Sequence, residues 1–419
     1  MGWGAGQTDS MMRVGVLCDR FMHWGGGIDF LRTIVSSLEQ FAPEVEIHMM
    51  LPTRGPHVSL AAAASDIRHV AYTFLRRPTH RRRQLGNEIR QVIADLAERP
   101  LSVHEIDRGP RALASAAKRL RLDAVLPAFD PLPTAFPVPW VGYVFDFQHC
   151  YYPMWFDPAE LSNRDQHFRA MAAAATTVVV NARSVADDID KFLPAAHANV
   201  FALPFGAAPR RDWLRIAPNV PARYGIVGPY YIVCNQFWKH KDHRTAFAAF
   251  AYWLSSGTHA HLVCTGEMDD YRDPGYVASL KAEISQLKIE SRVHLLGRVP
   301  KPDQIALLQG SVALIQPTLF EGGPGGGAAF DAVALGVPCI LSNIGVNREI
   351  ENERVDYFQV GDARDLARLM QLAWERRTTR RKCADELLAD GQQRRRACGE
   401  QLLRAIEHAR TMASAKTQR

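Results

Sequence analysis

Glu321, five glycines and Asp331 share one short stretch of the chain, Pro317-Thr318-Leu319-Phe320-Glu321-Gly322-Gly323-Pro324-Gly325-Gly326-Gly327-Ala328-Ala329-Phe330-Asp331. Glycines at this density, with Pro324 among them, keep a backbone open so that Gly322, Gly323, Gly325 and Gly326 can approach an anion at the start of a helix. Glu321 opens the loop and Asp331 lies in the first turns of the helix, so both carboxylates can face one bound ligand. A loop built for structure alone would gain little from so many glycines, because each one raises the entropy of the unfolded chain.

Three further clusters carry chemistry. Asn235-Gln236-Phe237-Trp238-Lys239-His240-Lys241-Asp242-His243 follows an apolar run. Asn235 and Gln236 stand at its strand end, and Lys241 opens a helix there, where a cation neutralises a diphosphate. His240, Asp242 and His243 have metal-ligand types but fan around one helical turn with no second cluster, so no metal site is expected. Asp146-Phe147-Gln148-His149 ends the apolar run 140–147, where a strand emerges at a cleft. His149 there can orient a substrate hydroxyl or exchange a proton with it, or it is a structural histidine bonded to backbone. Gly26 and Gly27, in Trp24-Gly25-Gly26-Gly27-Ile28-Asp29, open a helix after the first strand, either as a second anion cradle or as a tight turn. Asp188-Ile189-Asp190 matches the D-x-D of metal-dependent sugar transferases but falls inside a helical stretch, 185–192, and reads as solvated surface.

The elements that must position these groups are legible as alternation. Strand-like runs fall at 13–19, 45–51, 69–74, 123–128, 140–147, 176–180 and 199–204, then at 230–237, 261–266, 293–297, 312–317, 338–342 and 355–360. Gly266 closes the second run of the second set. Helical spacing lies between the runs, as in Ile28, Leu31, Ile34, Val35 and Leu38. Continuous apolar strands alternating with amphipathic helices imply parallel sheets covered on both faces. Thirteen strands exceed one ordinary sheet, and prolines 209, 218 and 221 break the pattern near 206–228. The expected organisation is a leader at 1–12, α/β domains at 13–205 and 206–385, and a basic helical segment at 386–419 with Leu402, Leu403 and Ile406 available for docking. In open α/β sheets ligands bind beyond the carboxyl ends of the strands, which makes the cleft between the domains the expected site.

Composition agrees with a folded enzyme-sized chain: 419 residues, 47% hydrophobic and 22% charged. No apolar stretch approaches the ~18–20 residues of a membrane span, and the N-terminus lacks the pattern of a secretion signal. The seven cysteines form no C-x-x-C pair and several lie in apolar runs, which points to buried thiols and a cytoplasmic location. The net charge of +6 is uneven. Residues 376–419 hold twelve Lys/Arg against five Asp/Glu, and Arg76, Arg77, Arg81, Arg82 and Arg83 form a second basic cluster. Such clusters attract phosphate on lipid, nucleic acid or substrate, or simply solvate a face.

Taken together, the glycine loop and the Lys241 cluster resemble the second domain of the GT-B, family 4 retaining glycosyltransferases. The similarity runs from about residue 13 to about 391 and is strongest over 230–349. The family's strand ending in Gly-Arg, with a Lys five residues after the Arg, is matched by Gln236 and Lys241. Its "PS-x-x-EGFG" stretch and following helix resemble residues 317–338, although the second acid comes two residues later, at Asp331. Its first-domain His-Asp resembles Phe145-Asp146, and a branch with D-x-Q-H resembles Asp146 to His149. The resemblance implies an α/β fold of the GT-B kind, with two facing Rossmann-like domains and a C-terminal crossover helix. It implies retaining, metal-independent transfer from a nucleoside-diphosphate sugar, with GDP-mannose the first donor to consider, and no further cofactor. Glu321 would hydrogen-bond the donor sugar, Asp331 the ribose hydroxyls, and Lys241 the diphosphate, with Asp146 and His149 also in the pocket. The acceptor would be a glycan, lipid-linked or of the lipopolysaccharide or polysaccharide kind, and the arginines at 76–83 would face it or an anionic inner-leaflet membrane surface. A nucleotide-sugar epimerase of the same architecture, or a basic nucleic-acid-binding protein, are the alternatives. Against the latter, the arginines lack interleaved aromatics, so no nucleic-acid partner is expected.

Overall fold

The computed structural model describes residues 11–22, 25–52, 93, 96–97, 99–215, 219–255, 257, 259–379 and 381–417. The expected strand at 69–74 and the arginines at 76–83 lie outside them.

Among the described residues, thirteen strands form two sheets. The first contains β1 (Met12–Leu17), β2 (Val45–Pro52), β3 (Ser102–Ile106), β4 (Ala124–Ala128), β5 (Trp140–Tyr143), β6 (Thr177–Val180) and β7 (Asn199–Ala202), in the order β3-β2-β1-β4-β5-β6-β7. The second contains β8 (Tyr230–Cys234), β9 (His261–Thr265), β10 (Val293–Gly297), β11 (Leu314–Gln316), β12 (Cys339–Ser342) and β13 (Val355–Phe358), in the order β10-β9-β8-β11-β12-β13. Every neighbouring pair is parallel. The strands β4, β6, β8 and β12 are buried at every position, as a sheet covered on both faces requires.

Helices of the first domain are α1 (Gly25–Phe41), α2 (Pro110–Leu120), α3 (Gln148–Tyr151), α4 (Pro158–Ala174) and α5 (Arg183–Phe192). Those of the second are α6 (Val220–Arg223), α7 (His243–Leu254), α8 (Tyr276–Gln286), α9 (Lys301–Gly310), α10 (Gly326–Ala334) and α11 (Ala363–Glu375), followed by α12 (Ala384–Thr417). Local sequence starts several of them. Asp157 accepts the Glu160 N–H, with Pro158 in the first turn of α4, and Asp362 caps α11 through the N–H groups of Arg364 and Asp365.

The structure departs from the sequence reading in places. Met12 already pairs with Val45, so the first strand starts inside the expected leader. β3 has no counterpart in the reading because Ser-Val-His-Glu-Ile, an edge strand, carries no apolar run. β5 stops at Tyr143 and β8 at Cys234, each earlier than its apolar run, so Asp146 and Asn235 stand in loops beyond the strand ends. Asp188 is not solvated: it is buried in α5 and accepts a hydrogen bond from the Tyr151 hydroxyl at 2.5 Å. Burial raises its carboxyl pKa above the usual range.

α12 returns from the second domain and lies on α1. Cys398, Leu402, Ala405 and Ile406 are fully buried in the core formed by α1, β1 and β2. His408 closes the far end, bonding Thr177 at 2.8 Å and Asn199 at 2.7 Å. None of the described helices is long and apolar enough to cross a membrane. Because Ile406 has no exposed surface, Ile406→Ala should cost about 2–5 kcal/mol of stability in urea unfolding. A loss below about 1 kcal/mol would mean that α12 does not share that core.

Candidate functional site

In each sheet the strand order reverses between two central strands, β1 and β4 in the first and β8 and β11 in the second. A crevice opens at such a point because the loops after the two strands diverge to opposite faces. The Lys241 cluster follows β8 and the Glu321 loop follows β11. Sequence-distant groups therefore meet at one strand-end crevice.

A continuous polar chain runs across it. Asn235 Nδ2 donates to Gln316 Oε1 at 2.9 Å, Gln316 Nε2 donates to Glu321 Oε1 at 3.0 Å, and Lys241 Nζ donates to the same oxygen at 2.5 Å. The Lys241 and Glu321 side chains are only 12% and 9% exposed, so this is a largely desolvated pair. Gln316 is the residue the sequence reading passed over. It is fully buried at the end of an otherwise apolar strand, and that lone amide directly before the glycine loop was the available signal. Gln236, at the edge of the same crevice, is exposed.

The glycine loop lies against the first domain. A Cβ at Gly322 would come within 2.7 Å of the Phe145 carbonyl and 2.8 Å of Asp146 Cβ, and one at Gly323 within 3.2 Å of Asn181 Cβ. Pro324 and Gly325 are buried beneath. Two of the loop's N–H groups are already engaged: Gly325 donates to Asn347 Oδ1 at 2.8 Å, and Gly326 to the Gly323 carbonyl at 3.3 Å. The first turn of α10 then supplies the free N–H groups that every helix start leaves. Gly326 takes φ +58, and a side chain there would press on Glu321 Oε2 at 3.2 Å. Gly266, at φ +141, leaves no room at all: a Cβ would meet the Asn235 carbonyl at 1.9 Å. Its role in the site is therefore to let β8's exit loop pass.

Asp331 is engaged by a neighbouring helix. It is 5% exposed, and its Oδ2 accepts from Lys301 Nζ, an ion pair between α10 and α9. Burial opposes the Lys301 ammonium, but Asp331 and Asp29 outweigh it and raise its pKa. Asp29 belongs to α1, just beyond Gly26 and Gly27, and its carboxylate is 2.9 Å from where a Gly327 Cβ would lie. The starts of α1 and α10 thus oppose each other across the cleft.

Asp146 Oδ1 accepts the Gln148 N–H at 2.9 Å and bonds Arg164 at 3.2 Å, while its Oδ2 lies beside Gly322. His149 is buried. It is 3% exposed among Phe147, Phe156 and Phe168, with Nε2 3.1 Å from Asp165 Oδ1. Burial, reinforced by Arg164, lowers its pKa, so the ring is neutral and acts as packing beneath α3. A three-residue cavity wall of aromatics encloses it because α4 brings Phe168 over α3. Among the described residues, His149, Cys150 and Asp165 form one group close enough to share a cation, their ligand atoms within 4.8 Å of one another. Their separations of 3.1 and 3.5 Å are those of hydrogen bonds, and burial pushes the Cys150 thiol up to about 11. His240 and His243 are buried as well; His243 stacks on Phe237 with centroids 4.3 Å apart.

The two domains also bind each other around the cleft. Glu349 of the second domain accepts from the Arg183 N–H, the Ser184 N–H and the Ser184 hydroxyl, each at 2.8 Å. It caps α5, whose own N-cap is Ala182 and offers no side-chain acceptor. Tyr152 donates to the Leu319 carbonyl at 3.3 Å, and Arg272 pairs with Glu160 at 3.3 Å. Beside these, a notch of about 110 Å³ opens between Met154 and Trp155 of the first domain and Lys239, Asp270 and Asp273 of the second.

Residues 227–387 match the family model of the glycosyl transferases group 1. Structures similar over nearly the whole chain share the two-domain fold. A glycosyltransferase from Rickettsia africae superposes with TM-score 0.58 at 12% identity, covering 96% of this chain and 97% of that one. HepE of Anabaena in complex with UDP gives 0.55 at 12%, covering 98% and 100%. WaaG, a glycosyltransferase involved in lipopolysaccharide biosynthesis, gives 0.52 at 13%, covering 93% and 95%. No curated protein sequence matches the chain. The chain thus shares the two-domain α/β fold of those structures, of the GT-B kind, and its second half is similar to the glycosyl transferases group 1.

His243 provides a test of this packing. Both ring nitrogens are buried without a hydrogen-bond partner among the described residues, and burial, aided by Lys241, pushes the pKa down to about 3. The unfolded chain takes up the proton near the usual 6.5, the folded one only near 3. Between those values acid favours unfolding, and this residue alone removes about 1.4 kcal/mol per pH unit. His243→Phe should therefore flatten the loss of stability between pH 6.5 and pH 4.5 in urea melts; an unchanged slope would contradict the buried neutral ring.

Proposed function

We propose that this protein is a retaining, metal-independent glycosyltransferase that moves a sugar from a nucleoside-diphosphate sugar to a glycan acceptor. The observation that carries the reading is the desolvated Lys241–Glu321 pair, held at the crevice between β8 and β11 of a group 1 domain. When the glycosidic bond breaks, charge builds on the departing diphosphate. In this reading Lys241 Nζ and the N-terminus of α10 stabilise it where it develops. Diphosphate binding draws Lys241 toward the phosphate oxygens and frees Glu321, still steered by Gln316, to bond the donor sugar hydroxyls. The acceptor hydroxyl attacks from the face that the leaving group vacates, so no protein nucleophile is required. Asp146, at the lip of the first domain, is the carboxylate nearest the incoming acceptor. His149 holds α3 in place and does not exchange protons.

GDP-mannose follows from the family resemblance, while UDP is the ligand of the HepE structure. A thermal-shift panel of GDP, UDP, dTDP and CDP separates them, since the bound nucleotide raises the melting temperature by mass action. For transfer itself, Glu321→Gln should keep the hydrogen bond to Gln316 yet lower kcat by about 100-fold or more with donor KM within about threefold. EDTA should leave kcat within about twofold. Near-wild-type kcat in Glu321→Gln would end the assignment of Glu321, and loss of activity in EDTA would end the metal-free mechanism.

The acceptor is proposed to be anionic or lipid-linked, met by the first domain at the inner face of a membrane without a spanning segment. The similarity to WaaG supports a glycan of the lipopolysaccharide kind. Each arginine near an anionic surface contributes about 1 kcal/mol, so Arg76, Arg77, Arg81, Arg82 and Arg83 suffice for peripheral binding. The wild-type protein should sediment with anionic vesicles at ~0.1 M salt, and changing the five arginines to serine should release it. Binding that survives this change would refute the membrane-facing role.

A further inference from the structure

His149 Nε2 meets two partners at once. Asp165 Oδ1 lies 3.1 Å from it and Cys150 Sγ 3.5 Å, and the three ligand atoms fall within 4.8 Å of one another. A neutral imidazole nitrogen either donates one proton or accepts one, so it serves the carboxylate or the thiol but not both. With the ring proton on Nε2 the Asp165 bond is made and the thiol has no acceptor there. With the proton on Nδ1, the Nε2 lone pair faces a carboxylate oxygen, and Nδ1 is itself buried with no hydrogen-bond partner among the described residues.

A cation satisfies all three groups together, and the donor set selects which one. Imidazole nitrogen, thiolate sulfur and carboxylate oxygen are the ligand types of zinc, and a tetrahedral ion with bonds of ~2.0–2.3 Å holds such atoms ~3.3–3.6 Å apart. The edges of 3.1 and 3.5 Å lie near those values. The third edge, between Cys150 and Asp165, closes by a turn of the Asp165 carboxylate, whose side chain is 45% exposed. Two ligands come from α3, one of them the buried His149, and the third comes from α4. The surrounding charge agrees. Asp165, Asp188 and Asp146 all place negative potential on the Cys150 thiol, opposed by Arg164. That arginine is engaged by Asp146 at 3.2 Å and Glu160 at 3.7 Å, and Arg169 takes the other Asp165 oxygen, Oδ2, at 3.5 Å.

We propose that His149 Nε2, Cys150 Sγ and Asp165 Oδ1 bind a zinc ion whose fourth position is open to water. Thiolate and carboxylate cancel the charge of the ion, and the thiol proton passes to the buffer as zinc binds. The ion ties α3 to α4. It thereby steadies a segment that begins at Asp146, whose Oδ1 accepts the Gln148 N–H, and ends at Tyr152, which donates to the Leu319 carbonyl. Its ligands belong to α3 and α4 and not to the strand-end loops that carry Lys241 and Glu321, so its role is structural and it takes no part in transfer. Chelation returns the three groups to their hydrogen bonds and lowers the stability of the first domain rather than kcat.

The test is a zinc titration of the full chain, free of any affinity tag and first treated with chelator, in competition with a chromophoric indicator. One zinc per chain should bind with a dissociation constant of ~1 µM or lower. Cobalt in its place should show a thiolate-to-cobalt charge-transfer band and the visible bands of a tetrahedral ion. Cys150→Ser should weaken zinc tenfold or more and abolish the charge-transfer band, and Asp165→Asn should weaken zinc tenfold or more. Cys383→Ser, at an exposed cysteine, should change neither. Zinc should raise the melting temperature of the wild-type chain and not that of the Cys150→Ser/Asp165→Asn double variant. Two cross-strand histidine pairs, His48–His104 and His261–His294, each with ring nitrogens 2.9 Å apart, are the rival ligands. Cobalt held there carries no thiolate band, and tight binding without that band would overturn the proposal. No zinc bound at ~100 µM, equal affinity in the folded double variant, or loss of binding in Cys383→Ser would do the same. Where the double variant does not fold, the wild-type cobalt spectrum decides alone.

Discussion

A lysine and a glutamate held in contact with about a tenth of each side chain exposed is the constraint on which the rest of this structure depends. Two charges out of water cost several kcal/mol each, and the cost is recovered only where geometry and further hydrogen bonds are good. Here the geometry comes from two strands that are neighbours in the sheet and about 80 residues apart in the chain. β8 delivers Lys241 through a one-turn helix and β11 delivers Glu321 through Leu319 and Phe320. The backbone joins the two exits: the Leu319 N–H donates to the His240 carbonyl at 2.7 Å, and the Thr318 hydroxyl to the same carbonyl at 3.1 Å. Gln316 and Asn235 then satisfy what the pair leaves open.

The same pair explains why the surroundings are so apolar. His240 and His243 are buried and neutral beside Lys241, with Phe237 stacked on His243, so no solvent reaches the lysine from behind. Electrostatic interactions strengthen as water is excluded. A donor diphosphate entering there meets a cation whose desolvation has already been met by folding, which is the sense in which the site is preorganised.

The first domain closes the cleft by backbone approach and by lending helix ends. Gly322 meets the Phe145 carbonyl, Glu349 caps α5, and the starts of α1 and α10 face each other near Asp29. α12 carries the chain back, so the relative placement of the domains rests on a helix buried in the core of one and anchored by Arg394 to the connector of the other. The domains are linked at both ends of the second one, which restricts their motion to opening and closing about those crossings.

The sequence by itself determined the two α/β halves, the twelve apolar runs that became strands, the helical return of the basic C-terminus onto Leu402 and Ile406, and the two strand-end loops that build the crevice. These are local or periodic properties, since a parallel strand buried on both faces must be apolar throughout and a loop that crosses another backbone must be glycine. What only the tertiary structure decided was the partner of each polar group. Asp331 is as acidic in sequence as Glu321, yet α9 places Lys301 beside it while Lys241 meets Glu321. His149 stands in a motif that resembles a pocket, yet α4 folds Phe168 over it and turns the ring inward. Gln316 carried no motif, and became the link of the polar chain because β8 lies next to β11. Which charge a buried group meets is fixed by packing between elements distant in the chain, and no spacing within one segment encodes it.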